Sequence, residues 1–257
     1  MLLNSQFTIH DSPRSALRAA VDGVLSILLA SRCASCEVPL DEPTRGPVCA
    51  RCWESIVHFT PPLCVQCGDP LPTWRTISLA ESTCPRCRRR PSHISISRAI
   101  GAYDGALRSI VHALKYDRRR TLSRPLAARM RKHNQDIFDG ADVVVPVPLH
   151  RSRRRARGFN QAEEIARHLG LPLRHAVKRI RATPSQTDLP AGRRHANVRN
   201  AFVSVGRASV RNLCVVLVDD VCTTGATLES CARVLRDAGA REVRAITAAR
   251  VVSRSRG

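Results

Sequence analysis

Aromatic residues are few: two Trp, two Tyr and five Phe in 257 residues. Proteins that hold single-stranded nucleic acid without reading its sequence stack the bases on aromatic rings, so a dedicated domain of that kind is not indicated. Lysine is also scarce for so basic a chain. Only Lys115, Lys132 and Lys178 occur among 42 basic residues, and arginine supplies the other 39. Acidic residues number 21, and the formal charge is +21. Two readings of that charge stand side by side. One is a surface that attracts polyanions such as nucleic acid or phosphorylated small molecules. The other is a GC-rich coding bias, which accounts for arginine over lysine but not for the excess over acids. Long apolar runs are missing too. The most apolar stretch, Val24 to Ala30, falls far below the roughly 18 residues that cross a bilayer, so no membrane span is expected. As a signal peptide, Met1 to Ala30 would place Arg14 and Arg18 ahead of a run that is too short, with Asp11 and Asp22 on its approach. A helix with Leu17, Ala20, Val21, Val24, Leu25 and Leu28 on one face fits better.

Cysteine is abundant. Eight of eleven cysteines form four Cys-x-x-Cys pairs: Cys33/Cys36, Cys49/Cys52, Cys64/Cys67 and Cys84/Cys87. A two-residue gap lets both thiolates of a pair face one metal, and two pairs complete a tetrahedral zinc site. The segment repeats internally. Cys33 to Leu40 and Cys64 to Leu71 both read Cys-x-x-Cys-x-x-Pro-Leu, and each is followed by a second pair. Two tandem zinc ribbons are the simplest reading. A cross-brace of first with third and second with fourth pairs, or one occupied site beside four free thiols, stays open. All-cysteine sites leave no position for substrate, so the zinc is expected to be structural. With little apolar sequence nearby, the metal is expected to hold the module together. Thiol usage of this kind implies a reducing, cytoplasmic setting. Cys214, Cys222 and Cys231 lie far downstream, and for Cys214 and Cys231 burial as small hydrophobes is the default.

From about Ser92 the pattern changes to alternating strands and helices. Ile94 to Tyr103, Val143 to Val147, Leu213 to Val218 and Val243 to Val252 read as strands. Leu107, Ile110, Val111 and Leu114 mark one helix face, Ala162, Ile165, Ala166 and Leu169 another, and Leu228, Cys231, Ala232 and Leu235 a third. The expected fold class is α/β, a parallel sheet with helices on both faces behind a small zinc-ribbon module. The division is a helical segment over 1–30, a cysteine-rich double ribbon over 31–91 and an α/β domain over 92–257.

The chemistry concentrates where the Leu213–Val218 strand ends. Asp219 and Asp220 follow it, and Thr223-Thr224-Gly225-Ala226-Thr227 then turns into a helix. Ligands of open parallel sheets bind at the carboxyl ends of strands. Small residues let backbone amides approach a phosphate, and the helix N-terminus favours an anion. Two acids can accept hydrogen bonds from vicinal ribose hydroxyls. Together these features describe a ribose 5-phosphate site. The arginine run Arg151 to Arg157 could neutralise a pyrophosphate or form a solvated face. Lys115, at a helix end, suits the dipole without further function. His195, beside Arg193 and Arg194, is read as an exposed loop residue rather than a base. No general base is assigned.

These residues carry a resemblance. The Asp219–Thr227 segment resembles the binding signature for phosphoribosyl pyrophosphate (PRPP) of type I phosphoribosyltransferases. The whole chain resembles the ComF (competence protein F, GntX-like) family. Its motifs are the four cysteine pairs, Leu114-Lys115-Tyr116, Pro146-Val147-Pro148-Leu149, Arg157-Gly158-Phe159-Asn160-Gln161-Ala162, Thr183-Pro184-Ser185-Gln186, Arg194-His195-Ala196-Asn197-Val198 and the acid–threonine loop. The resemblance implies that Asp219 and Asp220 contact the ribose hydroxyls and that Thr223, Thr224, Gly225, Ala226 and Thr227 hold the 5′-phosphate. It implies that Pro148 and Leu149, with Arg157 nearby, form the pyrophosphate loop, and that about Thr183 to Asn200 closes over PRPP. Mg²⁺ would be held mainly by PRPP and waters. The implied reaction is displacement of pyrophosphate by a nitrogen nucleophile, with a link to DNA uptake. The rival reading is a non-catalytic accessory factor that binds PRPP or single-stranded DNA beside the uptake machinery.

The repeat yields a direct expectation. Protein purified without added metal should contain about two zinc ions per chain by elemental analysis. A value near one would overturn the tandem ribbons, and a value near zero the zinc reading itself.

Overall fold

A computed structural model describes residues 17, 20–25, 31–71, 82–181, 200–206 and 210–252. Its centre is a four-stranded sheet in the order β1-β6-β5-β2, parallel throughout. The strands are β1 (Ser97–Ala102), β2 (Val143–Pro146), β5 (Cys214–Cys222) and β6 (Glu242–Arg250). A separate antiparallel pair joins β3 (Val177–Arg179) to β4 (Phe202–Ser204). The helices are α1 (Ala50–Glu54), α2 (Pro85–Arg89), α3 (Gly105–Tyr116), α4 (Ser123–His133), α5 (Arg151–Arg157), α6 (Gln161–Ala166) and α7 (Ala226–Asp237).

The unbroken apolar run of β5 has a physical cause. Alternate side chains point to opposite faces of a strand, and both faces of this sheet are covered. Val216 and Val218 pack with α3, α4 and α6, while Val215 and Leu217 pack with α7 and the β3–β4 pair. The predicted strands and helical faces recur with shifted ends. The strand predicted from Ile94 begins at Ser97, and the one predicted to end at Val218 runs on to Cys222, carrying both acids as strand residues. The arginine run Arg151–Arg157 is the helix α5.

The N-terminal stripe is helical where it is described, and its apolar face is exposed rather than packed on a core among the described residues. Leu17, Val21 and Val24 are exposed, whereas Asp22 is buried, because Thr44 donates to its carboxylate through N (2.8 Å) and Oγ1 (2.9 Å). Leu28 lies outside the described residues. One expectation needs correction: the first half of the cysteine module is not held by metal ligands alone. Leu40, Val48, Ile56, Cys33 and Cys52 belong to the same apolar cluster as Ile100 of β1 and Leu114 of α3.

The module also covers the outer edge of β1. His58 bridges Gly101 in antiparallel fashion, and Ser97 N donates to Gln66 O at 2.7 Å. An unpaired sheet edge invites association with other chains, and here the module pairs with it. Gly101 permits the approach, since a Cβ there would lie 2.2 Å from Val57 O. No helix among the described residues is long and apolar enough to cross a membrane.

A chain that starts near Ser92 would stay soluble if the module were an appendage. Because the module covers Ile100 and the β1 edge, the expected outcome is aggregation of that truncated chain. Size-exclusion chromatography checks this, and a soluble monomer would contradict the packing described here.

Candidate functional site

At the carboxyl ends of β2 and β5 lies a cleft of about 160 Å³. Asp219, Asp220, Thr223, Gly225 and Thr227 form one wall, and Pro148, Leu149 and Arg157 form another. Ala226 is buried at the start of α7, and Thr224 lies on the far side of the turn, in a neighbouring cavity. Gly225 adopts φ +78°, a left-handed conformation that glycine reaches without strain. Gly225, the N-cap residue, has no side chain with which to cap α7. Ala226 N donates to Thr224 Oγ1 at 3.4 Å. The remaining amides at the N-terminus of a helix of this length favour an anion.

The two acids are not equivalent. They are consecutive on a strand, so their side chains leave opposite faces of the sheet. Asp220 follows Val216 and Val218 onto the α3 face, where its Oδ1 meets Lys115 Nζ at 2.9 Å. Asp219 follows Val215 and Leu217 onto the α7 face and accepts from Asp220 N at 2.9 Å. Burial, and then the Asp220 charge, push the Asp219 carboxyl up to about 7. Burial works against the Lys115 ammonium, but Asp220 outweighs it, with Asp219 and Tyr103 adding to the effect, so the ammonium is held above the ordinary lysine range.

Lys115 therefore belongs to the cleft, and its reading as a helix-end cation is corrected. The signal was present: Lys115 stands four residues after Val111 and so falls on the buried stripe of α3, where a cation needs a partner. Arg179 on β3 was missed without any such signal. It is 7% exposed, lies over the Phe202 ring at 5.4 Å and lines the cleft. Arg157 lies over the Tyr116 ring at 5.3 Å and donates to Gln161 Oε1 at 3.2 Å. Of the remaining motifs, Thr183 to Gln186 and Arg194 to Val198 fall outside the described residues.

The cysteines gather as Cys33, Cys36, Cys49 and Cys52, and as Cys64, Cys67, Cys84 and Cys87, each set with its sulfurs within 4.8 Å of one another. The tandem pairing is the one formed. Cys36 Sγ and Cys49 Sγ are 3.8 Å apart, and Cys67 Sγ and Cys84 Sγ are 3.6 Å apart. A disulfide would need about 2.05 Å, whereas a zinc tetrahedron with bonds of about 2.3 Å has sulfur edges of about 3.8 Å. Backbone amides donate to Cys33 Sγ from Ser35 and Cys49, and to Cys64 Sγ from Cys67 and Cys84. Burial pushes the Cys52 and Cys87 thiols up to about 12. Four such sulfurs cannot all ionise without a cation among them, so both tetrads fit zinc.

The second tetrad adjoins the threonine turn. Arg250, 3% exposed, donates through Nη2 to Cys67 O at 2.5 Å and through the same nitrogen to Ser97 Oγ at 3.3 Å. It pairs in register with Cys222, and Val251 N donates to Cys222 O at 2.9 Å. A cavity of about 350 Å³ separates Cys67, Cys87 and Arg86 from Cys222, Thr224 and Gly225.

Comparison with known proteins agrees with this arrangement. Residues 118–256 match the phosphoribosyl transferase domain family, and residues 24–88 match the double zinc ribbon domain. Competence protein F of Haemophilus influenzae is 32% identical over 224 residues, covering 82% of this chain and 93% of that protein. DNA utilization protein YhgH of Escherichia coli is 30% identical over 221 residues, again covering 82% and 93%. Competence protein ComFC of Bacillus subtilis is 24% identical over 199 residues, covering 75% of this chain and 79% of its own.

The Cys67–Arg250–Cys222 connection has a measurable consequence. Cys67→Ser should speed amide hydrogen exchange across residues 222–227, whereas Cys36→Ser, in the first tetrad, should leave that segment unchanged. Equal effects of the two substitutions would mean that the tetrads act only through global stability.

Proposed function

Because the chain belongs to the competence protein F family and carries a phosphoribosyl transferase domain behind a double zinc ribbon, we propose that its cleft binds PRPP and that a nitrogen nucleophile displaces the pyrophosphate there. One observation carries this reading: two segments far apart in sequence, Pro148–Leu149 and the Asp219–Thr227 turn, line a single cleft, the turn through Asp219, Asp220, Thr223, Gly225 and Thr227.

In this reading the turn and the α7 N-terminus hold the 5′-phosphate, the acids orient the ribose, and Arg157 with the Pro148–Leu149 segment receives the leaving pyrophosphate. Positioning and charge stabilisation supply the catalysis. The described lining offers only two carboxylates, one of them already paired with Lys115. That is too little for a protein-built Mg²⁺ cage, so Mg²⁺ would arrive on the diphosphate oxygens of the ligand. The Asp219 carboxyl must be ionised to serve as a full acceptor. Its pKa lies near 7, so PRPP affinity should fall as pH is lowered through that value.

A second reading has its own support. Arg151, Arg154 and Arg155 of α5 are exposed, and Arg153 and Arg157 of the same helix line the cleft. A polyanion such as single-stranded DNA could follow that ridge toward the cleft, with or without catalysis. Separate calorimetric titrations with PRPP–Mg²⁺ and with single-stranded DNA discriminate the two readings. Loss of arginines from α5 should weaken DNA binding in a salt-dependent way.

The acids provide the decisive variants. Asp219→Asn and Asp220→Asn should each lower PRPP affinity roughly 10- to 150-fold, the loss of one hydrogen bond to a charged acceptor. The double variant should not bind measurably. Their stabilities should differ. Asp220→Asn strands the Lys115 ammonium and should lower Tm, whereas Asp219→Asn removes a carboxylate that burial already disfavours and should not. Wild-type affinity in the double variant would end the PRPP reading.

A further inference from the structure

Lys132 and Lys178 are exposed, but the Lys115 side chain is only 14% exposed. Arginine fills nearly every other basic position in the chain, including Arg153, Arg157 and Arg179 around the same cleft. Among the described residues, the cation that pairs with Asp220 is thus a lysine in an arginine-dominated lining. The chemistry of the two side chains differs in a way that matters here. A guanidinium is a planar fork that engages both oxygens of a carboxylate, whereas an ammonium is a compact point donor that can bind one.

Lys115 does bind one. Its Nζ lies 2.9 Å from Asp220 Oδ1. That contact is the ion pair the Asp220 carboxylate makes among the described residues. The groups that face the ammonium are Asp220 and Asp219 of β5 and Tyr103 after β1. Arg153 and Arg157 of α5 and Arg179 of β3 line the same cleft from the other side. The core-facing stripe of α3 fixes where Lys115 stands, since Leu107, Ile110, Val111 and Leu114 are all buried.

We propose, resting on the PRPP reading above, that Lys115 is the positioning residue of the ribose site, anchoring Asp220 through a single oxygen so that the other is presented to the ribose hydroxyls. Lys115 acts through Asp220, and its contribution belongs to the ribose end of the ligand. An arginine in its place would hold the charge but claim both oxygens. A neutral residue would leave two adjacent acids without their cation, so that a proton would be taken up in its place.

The test uses the full chain and two probes, PRPP–Mg²⁺ and ribose 5-phosphate, which lacks the diphosphate. For Lys115→Gln the expected result is a loss of roughly 10- to 150-fold for both probes by the same factor. The pH at which PRPP affinity falls should also move upward from its wild-type position near 7. Lys115→Arg should fold with the wild-type Tm, because the charge is kept, and still bind both probes more weakly than wild type. It keeps the test open should Lys115→Gln prove unstable. The proposal is overturned by wild-type affinity and pH profile in Lys115→Gln. It is equally overturned by a loss confined to PRPP, which would place the lysine on the diphosphate, or by full rescue in Lys115→Arg. Failure of the wild-type protein to bind either probe would sink the PRPP reading itself, a result distinct from any of these.

Discussion

Burial of β5 on both faces and along both edges is the constraint from which the remaining arrangement follows. Each face of that strand needs cover, and α3, α4 and α6 supply one face while α7 and the β3–β4 pair supply the other. Each edge needs a hydrogen-bonded neighbour, and β2 and β6 supply them. The strand keeps its ladder past the apolar run, with Asp219 opposite Thr247 and Cys222 opposite Arg250. Acids that read in sequence as the start of a loop are therefore held as rigidly as the core beneath them. Rigid placement at the end of a buried strand is what a site working by orientation requires.

The same constraint accounts for the cysteine module. β1 is the last strand of the sheet on its side, and a parallel sheet does not end well in water. The module supplies the missing edge with His58 and Gln66 and the missing apolar cover with Leu40, Val48 and Ile56. Its two halves differ in what holds them. The first shares the main core, whereas the second has a small cluster of its own, Cys64, Cys67 and Cys84 with Leu71 and Cys87. Metal matters most where apolar burial is least, which is the half that adjoins the threonine turn.

Much of this was legible in the sequence because it is written in periodicities and spacings. The tandem cysteine repeat, the helical stripe of α7 and the apolar run of β5 each follow from local rules, and so does the glycine turn before α7. What was not legible depends on contacts between distant segments. Lys115 looked like a helix-end cation until Asp220, more than a hundred residues later, was seen beside it. Arg179 sits in a short strand whose alternation does not say which face will be buried. The N-terminal stripe is helical where it is described, but its periodicity does not say what the apolar face meets. Its described polar anchor is the Asp22 carboxylate, which accepts from Thr44 N and Oγ1.

The charge of the chain can now be divided by place. The exposed arginines of α5 form a field that any polyanion would feel, and such a field fixes neither a ligand's register nor its chemistry. Arg86 and Arg250 are spent differently. Both meet Asp69, at 3.2 and 3.3 Å, beside a tetrad whose four thiolates exceed the charge of one zinc ion by two. Their positive charge is thus absorbed internally. In the cleft itself both signs are present: Lys115 against Asp220 at 2.9 Å, then Asp219, with Arg179 lining the same cleft. A uniformly basic pocket would bind any phosphate. One of mixed sign favours a ligand that carries hydroxyl donors and anionic groups at fixed separation, which is the chemical description of a phosphorylated sugar. Under the proposed function, the basic surface would gather anions, and the acids within it would select among them.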